Sequence, residues 1–228
     1  MCGRFSLALL PETLADYFGL DQVPVDLLPR YNIAPGQAIA IIRFAPGLGR
    51  HLDIAHWGLV PSWAKDASIG HKLINARAES LAQKPAFRNA YRQRRCLIPA
   101  DGFYEWHAEN DGKQPYWISS ADSSPLAFAG LWESWEAPQT GEHLESCTII
   151  TTTANAQLAP LHERMPVILP AAEFSAWLAP QATPTQLGRL LRPYPGTLHI
   201  HPVSREVNSP LKDNPHLVKP VKPARGSG

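Results

Sequence analysis

Short strand-like runs are the feature that most constrains the fold of this chain. They outnumber the helical stretches and do not alternate with them in the βαβ order of a parallel sheet. Strands are predicted at Ile39–Phe44, His56–Val60, Arg95–Ile98, Phe103–His107, Tyr116–Ile118, Leu126–Trp132, Thr148–Thr153 and Leu198–Val203. Helices are predicted at Pro11–Phe18, Ala78–Gln83, Pro85–Gln93, Ala171–Leu178 and Thr185–Leu191. We therefore predict an α+β fold with a bent or barrel-like, mainly antiparallel sheet and peripheral helices.

The length of 228 residues and the 44% hydrophobic content suit one large domain with its own core. The 23 prolines are spread along the whole chain and isolate no linker. We expect a single domain over residues 1–211, followed by a basic, Pro-rich tail over residues 212–228 that is disordered at its end. The chain has neither a signal-peptide pattern nor an apolar run of membrane-spanning length, so we expect a soluble cytoplasmic protein without a membrane partner.

Three cysteines, Cys2, Cys96 and Cys147, show no paired spacing. This argues against a zinc site or a disulfide framework and suits a reducing compartment. Cys96 and Cys147 lie in apolar runs and are expected to be buried. His199 and His201 would share one face of a strand, but no third ligand has suitable spacing. We therefore expect no metal and no cofactor.

Cys2 has a chemistry of its own if Met1 is removed, because its free α-amine and its thiol then lie on neighbouring carbons. Unperturbed, these groups titrate near ~8 and ~8.5. The amine of such a 1,2-aminothiol condenses with an aldehyde to an imine, and the sulfur then closes a five-membered thiazolidine ring. The alternative is a small residue that follows the initiator methionine without a chemical role.

Three further segments contain polar side chains at positions where a purely hydrophobic core would have apolar ones. In an extended Asn75-Ala76-Arg77 segment, the amide and the guanidinium share one face. Glu105 lies between aromatic residues on a predicted strand, where burial would raise its pKa and suit general acid–base chemistry; the alternative is the solvent face of that strand. His162 lies two residues before Arg164 in a loop bounded by prolines, as a proton shuttle or a surface histidine.

Eight segments in the same order give the chain a resemblance to one family. They are Met1–Phe5, Arg30–Gln37, Trp57–Trp63, Ile74–Glu79, Arg95–Trp106, Thr152–Asn155, His162–Pro166 and His201–Ser204. Together they resemble the SOS-response-associated peptidase (SRAP) family, whose members sense and crosslink abasic sites in DNA. The resemblance implies the SRAP fold and a monomer that binds single-stranded or junction DNA, associated with the nucleoid if the source is bacterial.

The resemblance also implies residue roles. Cys2 would be the nucleophile that forms a thiazolidine with the C1′ aldehyde of a ring-opened abasic sugar and so shields the lesion. Asn75 would hold the new N-terminus or the sugar. Glu105 would move protons during imine formation, and His162 would assist ring opening. The family name adds a thiol peptidase activity, interpreted as removal of Met1 by the protein itself, with ordinary aminopeptidase trimming as an equal alternative.

DNA contacts follow from the same resemblance. Phosphate-contacting positions are matched by Arg4, Arg77 and Arg164, and positions that stack on bases or wedge the strand are matched by Pro35, Trp63 and Trp106. Cations for phosphates and aromatics for unstacked bases are the expected combination, although Trp63 is equally well explained as a core residue. Some relatives have a second tryptophan where this chain has Ala64. The acid-free stretch Lys84–Arg95 would extend the DNA path or form a solvated basic helix face.

The charge of the whole chain, with 21 Lys and Arg against 20 Asp and Glu, excludes polyanion binding by net charge, so any such site is a local patch. Two other functions remain open. In one, Cys2 is the N-terminal nucleophile of a cysteine peptidase or amidohydrolase that acts on other molecules. In the other, the chain is a single-strand binding module in which Cys2 is incidental.

Overall fold

The computed structural model describes residues 2–21, 27–109 and 112–222. Its strands are β1 Phe5–Leu7, β2 Arg30–Ile33, β3 Ala38–Ala45, β4 Gly49–Trp57, β5 Asn75–Arg77, β6 Arg95–Ala100, β7 Gly102–Glu109, β8 Gly112–Ser120, β9 Leu126–Glu136, β10 His143–Thr153, β11 Arg164–Pro166 and β12 Leu198–Pro202. Its α-helices are α1 Pro11–Phe18, α2 Arg88–Gln93, α3 Phe174–Leu178 and α4 Pro184–Leu190. Short 3-10 helices lie at Ala67–Lys72, Ala78–Ser80, Ala171–Glu173, Arg205–Asn208 and Pro215–Val218.

The strands form two sheets. One is a five-stranded antiparallel sheet in the order β12-β8-β7-β1-β2. In the other, β10, β4, β3, β6 and β9 close into a barrel, because β10 pairs with β4 on one side and with β9 on the other. Only the pairings of β10 with β4 and β5 are parallel among the described strands. The predicted α+β fold with a barrel-like, mainly antiparallel sheet is confirmed.

A single core joins the two sheets. The ring of Phe5, on β1, lies edge-on to Trp57 of the barrel at 5.3 Å and to Phe128 at 5.9 Å. Phe103, on β7, meets the same Phe128 ring at 5.8 Å. Edge-to-face aromatic contacts of this kind add to the free energy gained by burial. Because side chains of both sheets meet in one cluster, the chain forms a single domain.

Most predicted elements are present, and the largest error in a boundary concerns β4. The strand predicted at His56–Val60 ends at Trp57 and begins as early as Gly49. Gly58 ends it with φ +141°, and a Cβ at this position would lie 2.8 Å from the carbonyl oxygen of Gly70. A side chain therefore fits neither the backbone angle nor the space. The helix predicted at Ala78–Gln83 is reduced to the 3-10 helix Ala78–Ser80.

The segment after residue 211 contacts the five-stranded sheet. Leu217 is fully buried and packs with Tyr104, Val203 and Val207, and the backbone N–H of Val221 donates to the carbonyl of Pro202 at 2.9 Å. The tail's end, where the sequence predicts disorder, falls on residues 223–228, which lie outside the described residues.

Cys96 and Cys147 are fully buried, as predicted. Among the described helices, none combines the length and the apolar character needed to cross a membrane.

Candidate active site

Cys2 lies inside the molecule because the strand that follows it is an interior strand. β1 pairs with β7 through Phe5 and Phe103 and with β2 through Phe5 and Ile33. Cys2 therefore lies in the core that the two sheets share, and it is fully buried. The amide Nδ2 of Asn75, on β5, donates a hydrogen bond to the carbonyl of Cys2 at 2.8 Å. This contact joins the start of the chain to the barrel.

The surroundings of Cys2 keep its sulfur protonated. Burial raises the pKa of the thiol far above its ordinary value, and the charge of Glu105 raises it further. The Sγ atom lies 3.9 Å from the carbonyl oxygen of Arg4, a weak contact for a thiol donor. A reaction that starts from a ready thiolate is disfavoured here, because the thiolate is the nucleophilic form of cysteine.

Glu105 is buried, with 3% of its surface exposed. The alternative that it lies on the solvent face of its strand is therefore wrong. Burial raises the pKa of its carboxyl, while the charge of His162 lowers that pKa in part. A carboxyl that keeps its proton to a higher pH than usual can donate that proton in a reaction near neutral pH.

His162 lies in the loop that leads into β11, and the backbone of Arg164 holds one of its ring nitrogens. The N–H of Arg164 lies 2.9 Å from Nδ1 of His162, and the carbonyl oxygen of Arg164 lies 3.1 Å from the same atom. Nδ1 is therefore engaged with the backbone in either tautomer. Nε2 is the ring nitrogen left to exchange a proton with a ligand.

A cavity of about 540 Å³ opens beside these groups. It is lined by Glu105, Trp106, Lys113, His162 and Asn208. Its size falls within the ~300–1,000 Å³ of typical small-molecule sites. The structure thus brings Cys2, Asn75, Glu105, His162 and Trp106 into one region. Lys113 and Asn208 were missed at the sequence level, because neither belongs to a motif.

The three arginines predicted to contact phosphate differ in their partners. Arg4 donates from Nη1 to Asn32 Oδ1 and to the carbonyl of Val207, both at 2.7 Å. Arg164 binds the carboxylate of Glu79 with both Nη atoms, at 2.8 and 3.0 Å. These two guanidiniums connect distant segments of the fold. Arg77 is exposed and makes no side-chain hydrogen bond or ion pair with the described residues. Of the three, Arg77 thus has its guanidinium most available to a ligand.

The remaining predicted DNA-contact residues lie outside the cavity lining. Trp63 is 56% exposed, so its interpretation as a core residue is wrong. Pro35 is half-buried in the turn between β2 and β3, where Gly36 adopts φ +83°. Ala64 is buried, and its carbonyl accepts a hydrogen bond from Trp135 Nε1 at 2.8 Å.

The basic stretch Lys84–Arg95 is only partly a solvated helix face. Arg95 is buried and donates to the carbonyls of Tyr91, Trp177 and Ala179. Arg94 donates to the buried Glu133 at 2.9 Å. The cations that remain on the surface are Lys84, Arg88 and Arg92.

The two-sheet fold defines a class of protein in which a buried cysteine just before the first strand lies near a buried glutamate and an open cavity. The chain matches the family model described as SOS response associated peptidase (SRAP) over residues 1–210, and it belongs to that family. The resemblance seen in the sequence motifs is confirmed.

Individual relatives agree with this membership. The chain is 44% identical over 224 residues to abasic site processing protein YoqW of Bacillus subtilis, covering 96% of this chain and 99% of YoqW. It is 30% identical over 232 residues to abasic site processing protein YedK of Escherichia coli, covering 97% and 100%. A crystal structure of a protein from Bacteroides thetaiotaomicron superposes with a TM-score of 0.88 at 26% identity, covering 97% of this chain and 100% of that one.

Proposed function

We propose that the protein senses abasic sites in single-stranded DNA and joins itself to them through Cys2 once Met1 has been removed. The observation that carries the proposal is the position of Cys2, held by Asn75 and adjacent to a buried carboxyl group with a raised pKa. The names of the relatives as abasic site processing proteins support the same substrate.

The reaction begins with the amine rather than the sulfur. Hydrolysis of the Met1–Cys2 peptide bond consumes one water and frees the α-amine. The amine adds to the C1′ aldehyde of the ring-opened sugar, and loss of water gives an imine. The thiol sulfur then bonds to the imine carbon while its proton passes to the nitrogen. The product is a thiazolidine, and crosslinking releases one water overall. A buried, protonated thiol suits this last step, which transfers the proton with the sulfur.

The neighbouring groups have distinct tasks in this proposal. Glu105 donates the proton that removes the carbinolamine oxygen as water, a role that a carboxyl with a raised pKa can fulfil near neutral pH. His162 exchanges a proton with the sugar oxygen through Nε2 as the ring opens, since Nδ1 is held by the backbone of Arg164. Asn75 positions the amine by binding the carbonyl of the same residue.

Ring closure determines the fate of the strand. An open imine is an electron sink that promotes β-elimination of the 3′ phosphate. The saturated thiazolidine removes this sink, so the strand remains intact and the lesion is shielded. Removal of Met1 is assigned either to the protein itself, as the family name suggests, or to an aminopeptidase.

Intact-protein mass spectrometry tests the proposal. Met1-free protein is mixed with a single-stranded oligonucleotide bearing one abasic site, and with the matched intact strand. The expected product has the mass of protein plus oligonucleotide less one water, and it forms only with the lesion. A protein shown to lack Met1 that forms no adduct contradicts the proposal. Turnover of a peptide panel by that protein would instead support a peptidase.

Arg77→Ala should weaken binding of a single strand and lower the slope of log affinity against log salt by ~0.7–1, the contribution of one phosphate contact. The reason is that the exposed Arg77 side chain has no hydrogen bond or ion pair with the described residues to give up. Fluorescence anisotropy over a salt series measures both quantities. Arg189→Ala, which removes an exposed charge on α4, is the matched control. Equal slopes for the two variants would exclude Arg77 as a phosphate contact.

A further inference from the structure

We propose that Lys113 and Asn208 complete a binding site for the nucleotide that flanks the abasic sugar: Lys113 binds its phosphate, and Asn208 holds the ring of Trp106, the residue on which the resemblance already places a stacked base. This inference rests on the proposed function and extends it to a residue pair that no motif marks. All three residues line the cavity that also contains Glu105 and His162.

Lys113 is the cation of this cavity. It is exposed, and its ammonium makes no hydrogen bond or ion pair with any described residue. Arg4 and Arg164, by contrast, direct their guanidiniums to Asn32, Val207 and Glu79. The Arg4 guanidinium also lies 6.0 Å from the centre of the Trp106 ring, so a base would stack on the other face of that ring. A phosphate at the cavity mouth therefore meets a free positive charge at Lys113. Contacts of this kind fix the register of a strand without reading its sequence.

Strand register places Lys113 close to Trp106. On the β7–β8 hairpin, Trp106 is opposite Pro115 and Ala108 is opposite Lys113. Trp106 and Lys113 are thus diagonal neighbours on one face of an antiparallel pair, with backbones about 7–8 Å apart. This separation allows a phosphate on Lys113 and a base on Trp106 to belong to the same nucleotide.

Asn208 fixes the orientation of the stacking ring. Its Oδ1 accepts a hydrogen bond from Trp106 Nε1 at 2.7 Å. Asn208 ends the 3-10 helix Arg205–Asn208, in which Val207 is fully buried and its carbonyl accepts from Arg4. The indole edge is therefore anchored to a well-packed segment, so a stacked base meets a ring that is already in place. Asn208 is a positioning residue in this arrangement.

The phosphate contact is tested by binding of single strands that carry a tetrahydrofuran analogue of the abasic site, which has no aldehyde and cannot crosslink. In a second series, single methylphosphonates neutralise each phosphate near the analogue in turn. We expect Lys113→Gln to weaken binding about 3–10-fold and to lower the salt slope by ~0.7, while Arg189→Gln changes neither. We also expect one methylphosphonate position to weaken the wild type but not Lys113→Gln.

The role of Asn208 in holding the Trp106 ring for stacking is tested with Asn208→Ala. The wild type should bind a strand with a purine beside the analogue more tightly than one with a second tetrahydrofuran there, and Asn208→Ala should lose most of this preference. The phosphate contact is overturned if Lys113→Gln binds as tightly as Arg189→Gln and if each methylphosphonate weakens binding of the two variants equally. An unchanged purine preference in Asn208→Ala overturns the positioning role. Adduct formation by the wild type on an authentic abasic strand is measured in parallel, so failure of this binding site is distinguished from failure of the crosslinking reaction.

Discussion

We expect Cys2→Ala, in protein shown to lack Met1, to abolish the heat-stable adduct with an abasic strand, because alanine retains the α-amine but has no sulfur to close the ring. The imine that this variant can still form would be reversible and would remain open to elimination. Strand scission at the abasic site should therefore increase as the adduct disappears. Denaturing gel electrophoresis of a labelled oligonucleotide measures both products in one lane.

Treatment with borohydride distinguishes the role of the Cys2 amine from that of its thiol. It reduces the imine to a stable secondary amine, so it should restore a covalent adduct with Cys2→Ala that lacks Met1. Binding to the tetrahydrofuran strand should remain within about twofold of the wild type, because the substitution removes one buried sulfur atom and no charge. A heat-stable adduct from Cys2→Ala without borohydride would contradict the thiazolidine mechanism.

Glu105→Gln should slow adduct formation by ~10²–10⁴-fold, the usual contribution of a positioned acid or base. Glutamine fills the same volume but cannot transfer a proton. Single-turnover kinetics at saturating protein measures the rate of the covalent step apart from binding. Glu109→Gln is the matched control, since Glu109 lies on the same strand and faces Arg205 at 3.9 Å. Equal rates for Glu105→Gln and the wild type would show that Glu105 does not transfer a proton in the reaction.

The same substitution should make the free energy of unfolding less dependent on pH. Burial raises the pKa of Glu105 in the folded protein above its ordinary value of 4.5, so folding favours the protonated form. The stabilising contribution of this carboxyl is fully present below pH 4.5 and is lost as the pH rises through the folded-state pKa. Glutamine does not titrate. The free energy of unfolding of Glu105→Gln relative to the wild type should therefore be greater at pH 7 than at pH 4, as measured by urea denaturation. A difference independent of pH would show that folding leaves the pKa of this carboxyl unchanged.

Strands with a long apolar run were predictable, whereas the short ones were not. Ile39–Phe44 lies inside β3 because its β-branched residues mark a buried strand. β1, β2 and β11 contain three or four residues each, too few for a period of two to stand out. Closure of the barrel could also not be predicted from the sequence, since it pairs Trp57 with Cys147, which are ninety residues apart.

The candidate site was predictable from residue chemistry together with the family motifs. Its aromatic neighbours alone left Glu105 on either face of its strand, and the resemblance supplied the roles of Glu105 and Asn75. The structure shows Glu105 buried and Asn75 bonded to Cys2. The sequence could not show that Arg164 meets Glu79, because that pairing depends on tertiary contacts between distant segments. The functional roles of these residues remain predictions for the variants above.

The interior position of β1 has a consequence for the DNA. A strand hydrogen-bonded on both sides is among the last parts of a domain to open, so Cys2 has no flexible arm with which to reach a lesion. In the proposed reaction the abasic sugar would therefore move to the nucleophile, and the conformational adjustment would fall on the nucleic acid. A strand stacked in a duplex must first be unpaired and turned outward at an energetic cost, whereas a single strand can bend its backbone freely. The stiffness of the protein would then itself act as the filter for single-stranded lesions.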